Sequence, residues 1–288
     1  MRYGFVVPYA DACAFAEVAA LGERHGWDAV FTWESLYGEH AWVTLAAAAT
    51  ATSAIRLGTL LTPASRHRPW DLASMVSSVD RLSGGRVVMT VGLGALHPGW
   101  TRFERDEGRA ERARKLDESL AVYRGLLSGA PLTYDGVHYP VGPEGEGAPP
   151  LPPPPTQRPH PPVWVVGAYL PGRRRQPSME RAARWQGVLP TVAVPDAQPG
   201  SPHLTLESVA EALAVVRDLR EEAGLPWEGY DVVIEGDSTG EFVRSAGTPA
   251  QWATIGATWW IESWWSVEPG PAGLAEIRRR VEAGPPTD

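Results

Sequence analysis

Carboxylates and indoles stand side by side at two places in the chain. One is Trp33-Glu34-Ser35. The other is the segment from Thr258 to Trp265, TWWIESWW, which sets four of the 13 Trp around Glu262. A carboxylate among indoles loses water, its pKa rises, and it becomes a usable proton donor. Indole faces also offer a wall on which a flat ligand can stack. Glu34 and Glu262 are therefore the candidate catalytic acids, with Trp33 and Trp260 lining a pocket. Along a strand, side chains alternate. Thr258, Trp260, Glu262 and Trp264 share one face, and Trp259, Ile261, Ser263 and Trp265 the other. Assigning Trp259 and Ile261 to the packed side sends Trp260 and Glu262 into the pocket. Trp264 and Trp265 are then left to packing and a subunit contact. Gly92-Leu93-Gly94 and Gly167-Ala168 would let a flat ligand approach the backbone. Arg173-Arg174-Arg175, between a Gly-rich strand end and a helix, reads either as a phosphate grip or as a solvated charge run.

Other chemistries find no support. Gly92-Leu93-Gly94 lacks the third glycine of a dinucleotide fingerprint, and His97-Pro98-Gly99 opens a helix poorly. Neither a Walker loop nor a Gly-x-Ser-x-Gly elbow occurs. The seven His are scattered, with no pair at metal-ligand spacing, so no metal is expected. Cys13 is the only cysteine, which excludes an intrachain disulfide. A net charge of −8 argues against nucleic acid or an anionic membrane as the partner. The N-terminus reads directly as a strand and no long apolar run follows, so a cytoplasmic protein acting on a small molecule is expected.

These residues need elements to position them. Short apolar runs alternate with amphipathic stretches throughout: Tyr3–Pro8, Asp28–Glu34, Ile55–Thr62, Arg86–Gly92, Val163–Gly167, Gly187–Thr191, Tyr230–Glu235 and Thr258–Ser263. Helical periodicity follows each one, with Asp11 as a cap, Pro69 in a first turn and Gly84-Gly85 as a stop. Eight strand–helix units over 288 residues predict a single (β/α)8 barrel spanning 1–288. An insertion over 129–162, between strands four and five, holds a hairpin at Pro131–Pro140 turning on Asp135-Gly136, then a proline-rich connector. A doubly wound open sheet is the alternative. In a barrel the chemistry sits where strands end. That rim carries Trp33, Glu34, Thr62, Gly92, Gly94, Gly167, Ala168, Glu235 and Glu262. His97, on the loop after strand four, joins the candidate substrate pocket.

A series of motifs is similar to the bacterial luciferase-like superfamily. It runs from Leu57-Gly58-Thr59 through Thr62-Pro63 and Arg68-Pro69-Trp70 to Asp80-Arg81-Leu82-Ser83-Gly84-Gly85-Arg86. It continues through Val91-Gly92-Leu93-Gly94, Tyr134-Asp135-Gly136-Val137-His138-Tyr139 and Pro161-Pro162-Val163-Trp164-Val165-Val166-Gly167. The resemblance implies a barrel that uses FMN or the deazaflavin coenzyme F-420 and moves hydride between it and a small organic substrate. Flavin members also activate O₂. It further implies a backbone bulge at Thr59, Leu60 and Leu61 beneath the ring, often with a non-proline cis peptide. Thr62 would stand at the ring edge, and the phosphate against Gly167, Ala168, Arg173 and Arg174. Two departures stand out. Glu34-Ser35 replaces the Asp-His that ends strand two in many deazaflavin members, and Ala95 replaces a Glu, so the proton donor is not the usual one. The expectation is a flavin- or deazaflavin-dependent oxidoreductase, with monooxygenation as a branch and a homodimer as its assembly. Two alternatives stay open: a barrel that only binds flavin, and a cofactor-free hydrolase or isomerase using Glu34 and Glu235.

Overall fold

The computed structural model describes residues 1–94, 101–143, 145, 153–193, 204–240, 245 and 247–287. Eight parallel strands close into a barrel in sequence order. They are β1 Arg2–Val6, β2 Ala29–Thr32, β3 Arg56–Pro63, β4 Val87–Gly92, β5 Val163–Tyr169, β6 Gly187–Val192, β7 Asp231–Gly236 and β8 Trp259–Ser263. The helices between and after them are α1 Ala12–Arg24, α2 Ala41–Ala51, α3 Pro69–Ser83, α4 Arg109–Leu127, α5 Pro177–Ala183, α6 Leu206–Glu222, α7 Pro249–Thr254 and α8 Pro271–Glu282. Local chemistry sets several ends. Asp11 accepts the Ala14 N–H to cap α1, Pro69 opens α3, and Gly84 ends α3 at φ 69°. The (β/α)8 reading holds, and the open-sheet alternative does not. Among the described residues no helix is long and apolar enough to cross a membrane.

Each strand is buried on both faces, as a parallel barrel requires. The outer face packs on the helices in one large cluster that includes Phe5, Val30, Leu57, Val165 and Trp260. The inner face forms a separate cluster built on Val6, Phe31, Val88, Trp164, Val233, Trp259 and Ile261. Large rings inside need small neighbours. A Cβ on Gly58 would come within 2.6 Å of Phe31, and one on Gly187 within 2.5 Å of Trp164. Trp164 and Trp259 floor the barrel at the N-terminal ends of the strands, with ring centroids 5.2 Å apart. Each buried indole removes roughly 200 Å² from water, about 5 kcal/mol at 25 cal/mol per Å². Both indole N–H groups donate to Asp231, at 3.0 Å each. Arg2 pairs with the same carboxylate at 2.5 Å and lies 4.3 Å from the Trp259 ring centre.

This frame reverses the expected faces of β8. Trp259 and Ile261 point into the barrel, while Trp260 and Glu262 point out toward the helices. Trp260 lies over Gly236, where an added Cβ would fall 2.2 Å from its ring. Both neighbours of Ile261 are apolar or buried, so alternation alone could not choose a face. Trp264, also on the outer side, packs on Phe5 and Trp27. Trp259, Trp260 and Trp264 are buried, and Trp265 is half-buried.

The insertion differs too. In place of a hairpin, its described part holds one isolated antiparallel bridge, Tyr134 to Val141. The Glu118 carboxylate organises this loop by accepting N–H bonds from Val137, His138 and Tyr139. A Cβ on Gly136 would lie 2.6 Å from the Glu118 carboxylate and 2.6 Å from the Tyr134 ring.

Replacing Asp231 by Ala would strand two indole N–H groups in the barrel floor. A buried donor left unpaired costs about 1–3 kcal/mol. Urea unfolding of Asp231→Ala is therefore expected to show a loss of about 2–6 kcal/mol, and Asp231→Asn, which keeps an acceptor, a smaller one.

Candidate functional site

With the floor filled, open space is left at the C-terminal ends of the strands. The peptide joining Leu60 to Leu61 is cis, and the pairing of β3 with β4 changes register between Thr59 and Thr62. This irregularity falls where a bulge was expected. It turns Leu60 and Leu61 toward a slot of about 270 Å³ that Trp33, Val166, Leu189 and Trp265 also wall. Glu34, Arg66 and Glu235 reach the same slot. Gly92 lets β4 come close beneath it, since a Cβ there would stand 3.0 Å from Leu61 and 3.2 Å from Val166. Flat apolar walls with a few polar groups at the edge suit a fused heteroaromatic ring. The donor set therefore fits a flavin or deazaflavin ring.

The indoles are fixed rather than loose. Trp265 donates to Glu235 at 2.6 Å, and Trp33 donates to the Pro8 carbonyl at 2.6 Å. The two rings meet edge to face, with centroids 6.4 Å apart.

Behind the slot runs a line of polar groups. Thr62 Oγ1 lies 2.9 Å from Glu34 Oε1 and 2.8 Å from Thr59 Oγ1, and both threonines are fully buried. The Thr62 hydroxyl is within donating reach of both oxygens, and Thr59 Oγ1 lies 3.5 Å from the Thr90 carbonyl. On its other oxygen Glu34 holds His67 Nε2 at 2.7 Å. Burial pulls the nearby Arg66 guanidinium below its ordinary pKa, while Glu104 and Glu34 oppose the shift.

Two further cavities adjoin the slot. One of about 370 Å³ is lined by Glu34, Ser35, Arg66 and His67. The other, about 580 Å³, lies beyond Trp33 among Pro8, Tyr9, Tyr37, Pro271 and Leu274.

The structure thus gathers Trp33, Glu34, Leu60, Leu61 and Gly94 around one slot, with Thr59 and Thr62 bonded behind it. It does not bring Trp260 or Glu262 there. Gly167 faces the helices, its position crowded by Met179 and Val188 at 2.8 Å. Three amides at the end of β5 and in the loop after it are already bonded: Ala168 N–H to Ser178, Leu170 N–H to Gln176 and Arg173 N–H to Leu170. Arg173 and Arg174 are exposed. His97 lies outside the described residues. His67 and Trp265 were not read as site residues, and Glu235 only as part of a cofactor-free alternative. The available signal was position, since each lies at or just past the end of a barrel strand.

Glu262 is 1% exposed on the outer side of the barrel, where it accepts from the Ser238 N–H at 3.0 Å and the Trp260 indole at 2.8 Å. Burial raises its pKa above the ordinary 4.5, and the two donors oppose the rise. The expected rise is present, but the expected access to the pocket is not. A raised folded-state pKa contributes stability that is complete below the unfolded value and is lost as pH rises through the folded one. Comparing unfolding free energies of wild type and Glu262→Gln should therefore show the variant gaining on the wild type as pH rises from 4 to 7. Turnover should not change.

Comparison with known proteins agrees with this geometry. Residues 6–237, most of the chain, match the family described as luciferase-like monooxygenase. An uncharacterised protein of Mycobacterium tuberculosis is 38% identical over 130 residues, which cover 44% of this chain and 42% of that protein. A putative coenzyme F-420-dependent oxidoreductase of the same species is 34% identical over 139 residues, 46% of this chain and 38% of that one. The matches thus span less than half the length of these relatives. Two solved structures share the fold with TM-scores of 0.70: a monooxygenase from Streptomyces bottropensis and a coenzyme F-420-dependent tetrahydromethanopterin reductase from Methanopyrus kandleri. The first is 21% identical and covers 98% of this chain and 96% of that one; the second is 17% identical and covers 98% of each. A barrel with its irregular third strand under an aromatic slot, matched over most of its length, belongs to the luciferase-like monooxygenase family of flavin- and F-420-dependent oxidoreductases.

Proposed function

We propose that the protein is an oxidoreductase that binds reduced coenzyme F-420 in the slot above Leu60-Leu61 and uses it to reduce a small organic substrate. The slot carries the proposal: its walls are flat and apolar, the β3 backbone approaches from below, and two carboxylates stand at its edge. The 34% identical relative named for coenzyme F-420 favours the deazaflavin over FMN. Bound there, the coenzyme supplies hydride. The chain's own part is to stack the ring between Leu61 and the indoles, to keep water from it, and to hold a carboxylate at its edge. The substrate would enter from the cavity of about 580 Å³ beyond Trp33, whose aromatic and aliphatic lining suits an apolar body. With the Ala168, Leu170 and Arg173 amides already bonded, the phosphate tail would rest on the exposed guanidinium groups of Arg173 and Arg174.

Tryptophan fluorescence tests this directly, because Trp33 and Trp265 line the slot. Coenzyme F-420 is expected to quench it saturably, and FMN weakly or not at all. Val166→Trp, which fills the slot, should abolish quenching with the circular-dichroism melt retained. Arg173→Ala with Arg174→Ala should weaken binding and reduce its dependence on salt. Quenching by FMN alone would turn the reading to a flavin enzyme with O₂ chemistry. Quenching by neither would leave the cofactor-free alternative.

A further inference from the structure

Resting on the proposed function, we infer that Glu34 and His67 form the acid/base pair of the reaction. Glu34 is the one carboxylate that lines both the slot and the cavity of about 370 Å³ beside it. Its Oε1 faces Thr62 and its Oε2 faces His67. The Glu34 side chain is 9% exposed and that of His67 is 20% exposed. His67 follows the single 3-10 turn Ala64–Arg66 that ends β3, so the strand that bulges under the slot also delivers the imidazole. The pair is thus a proton conduit with one end in the slot and the other toward water.

Hydride transfer alone needs no acid. A proton is required when the accepting carbon is doubly bonded to oxygen or nitrogen, because the heteroatom gains an electron pair. For a carbonyl, the bound reduced coenzyme would supply hydride to the carbon and be left oxidised. The C=O π pair moves to oxygen, the oxygen takes the Glu34 proton, and the carboxylate recovers one from His67. Alcohol oxidation runs the same steps backward. Thr62 is a positioning residue: its hydroxyl, backed by Thr59, holds Glu34 Oε1 and so sets the carboxylate beside the slot.

The other ionisable groups around the pair favour no second route. Glu39, His40, Arg66 and Glu104 line the outer cavity, and Glu235 lies across the slot, already accepting the Trp265 indole.

The test uses the full chain loaded with reduced coenzyme F-420 and mixed with acetaldehyde, cyclohexanone and benzaldehyde. Return of the oxidised chromophore gives the rate. Glu34→Gln is expected to lower it about a hundredfold, within the usual range for loss of a general acid. His67→Ala should lower it less, shift the alkaline limb of the pH profile, and recover with added imidazole. Both variants should keep the wild-type affinity for the coenzyme by tryptophan quenching, which is read without turnover. Unchanged rates and pH profiles in both variants would overturn the inference. So would failure of every carbonyl probe to oxidise the bound coenzyme. Absence of quenching in the wild type would instead overturn the proposed function beneath it.

Discussion

The Asp231 carboxylate at the bottom of the barrel is the interaction on which the rest of the structure depends. Two indoles fill the floor, and each brings an N–H group that must find an acceptor away from bulk water. A single carboxylate answers both and is held in turn by Arg2. Fixing Trp259 inward fixes the phase of β8, because successive residues must take opposite faces. Trp260 and Glu262 are then committed to the outer layer, and the pairing of β8 with β1 closes the cylinder in that phase. A floor packed with Trp164, Trp259 and Phe31 leaves no continuous channel. Among the described residues, open space lies at the other end of the strands, where the loops can shape it.

The irregular third strand converts that space into a site. In a regular strand, residues three apart face opposite sides. The register shift between Thr59 and Thr62 places both hydroxyls 2.8 Å apart and both side chains fully inside. The same departure exposes Leu60 and Leu61 to the slot. One local break thus yields an apolar platform on one side and a hydrogen-bonded support on the other. Glu34, brought by β2, is the group that the support holds.

Much of the architecture was legible because it rests on periodicity and punctuation. Eight apolar runs with helical stretches between them gave the barrel, and Asp11, Pro69 and Gly84 mark helix ends by their backbone chemistry. The rim positions of Trp33, Glu34 and Thr62 followed from where strands stop. The face of TWWIESWW was not legible. A strand buried on both sides carries apolar residues in both phases, so the choice belongs to Asp231, 27 residues before the segment begins. The phosphate reading of Gly167 failed for a related reason. Glycine serves helix packing as readily as ligand approach, and only the positions of Met179 and Val188 separate the two. His67 stood out only by its place just past β3, since its importance is the 2.7 Å contact with a residue 33 positions earlier.

Glu262 and Glu34 show why burial alone is a poor guide to an acid. Glu262 meets the usual criterion: it is buried among indoles and its pKa is raised. Yet its two oxygens are taken by Ser238 and Trp260, and it lines none of the cavities at the rim. A proton held there has nowhere to go. Glu34 is somewhat less buried, but each of its oxygens faces a group that can pass or fix a proton, and it borders the slot itself. Transfer needs a donor within hydrogen-bond reach of the reacting atom and a means of being recharged. Geometry therefore separates the two carboxylates where desolvation would have ranked them the other way.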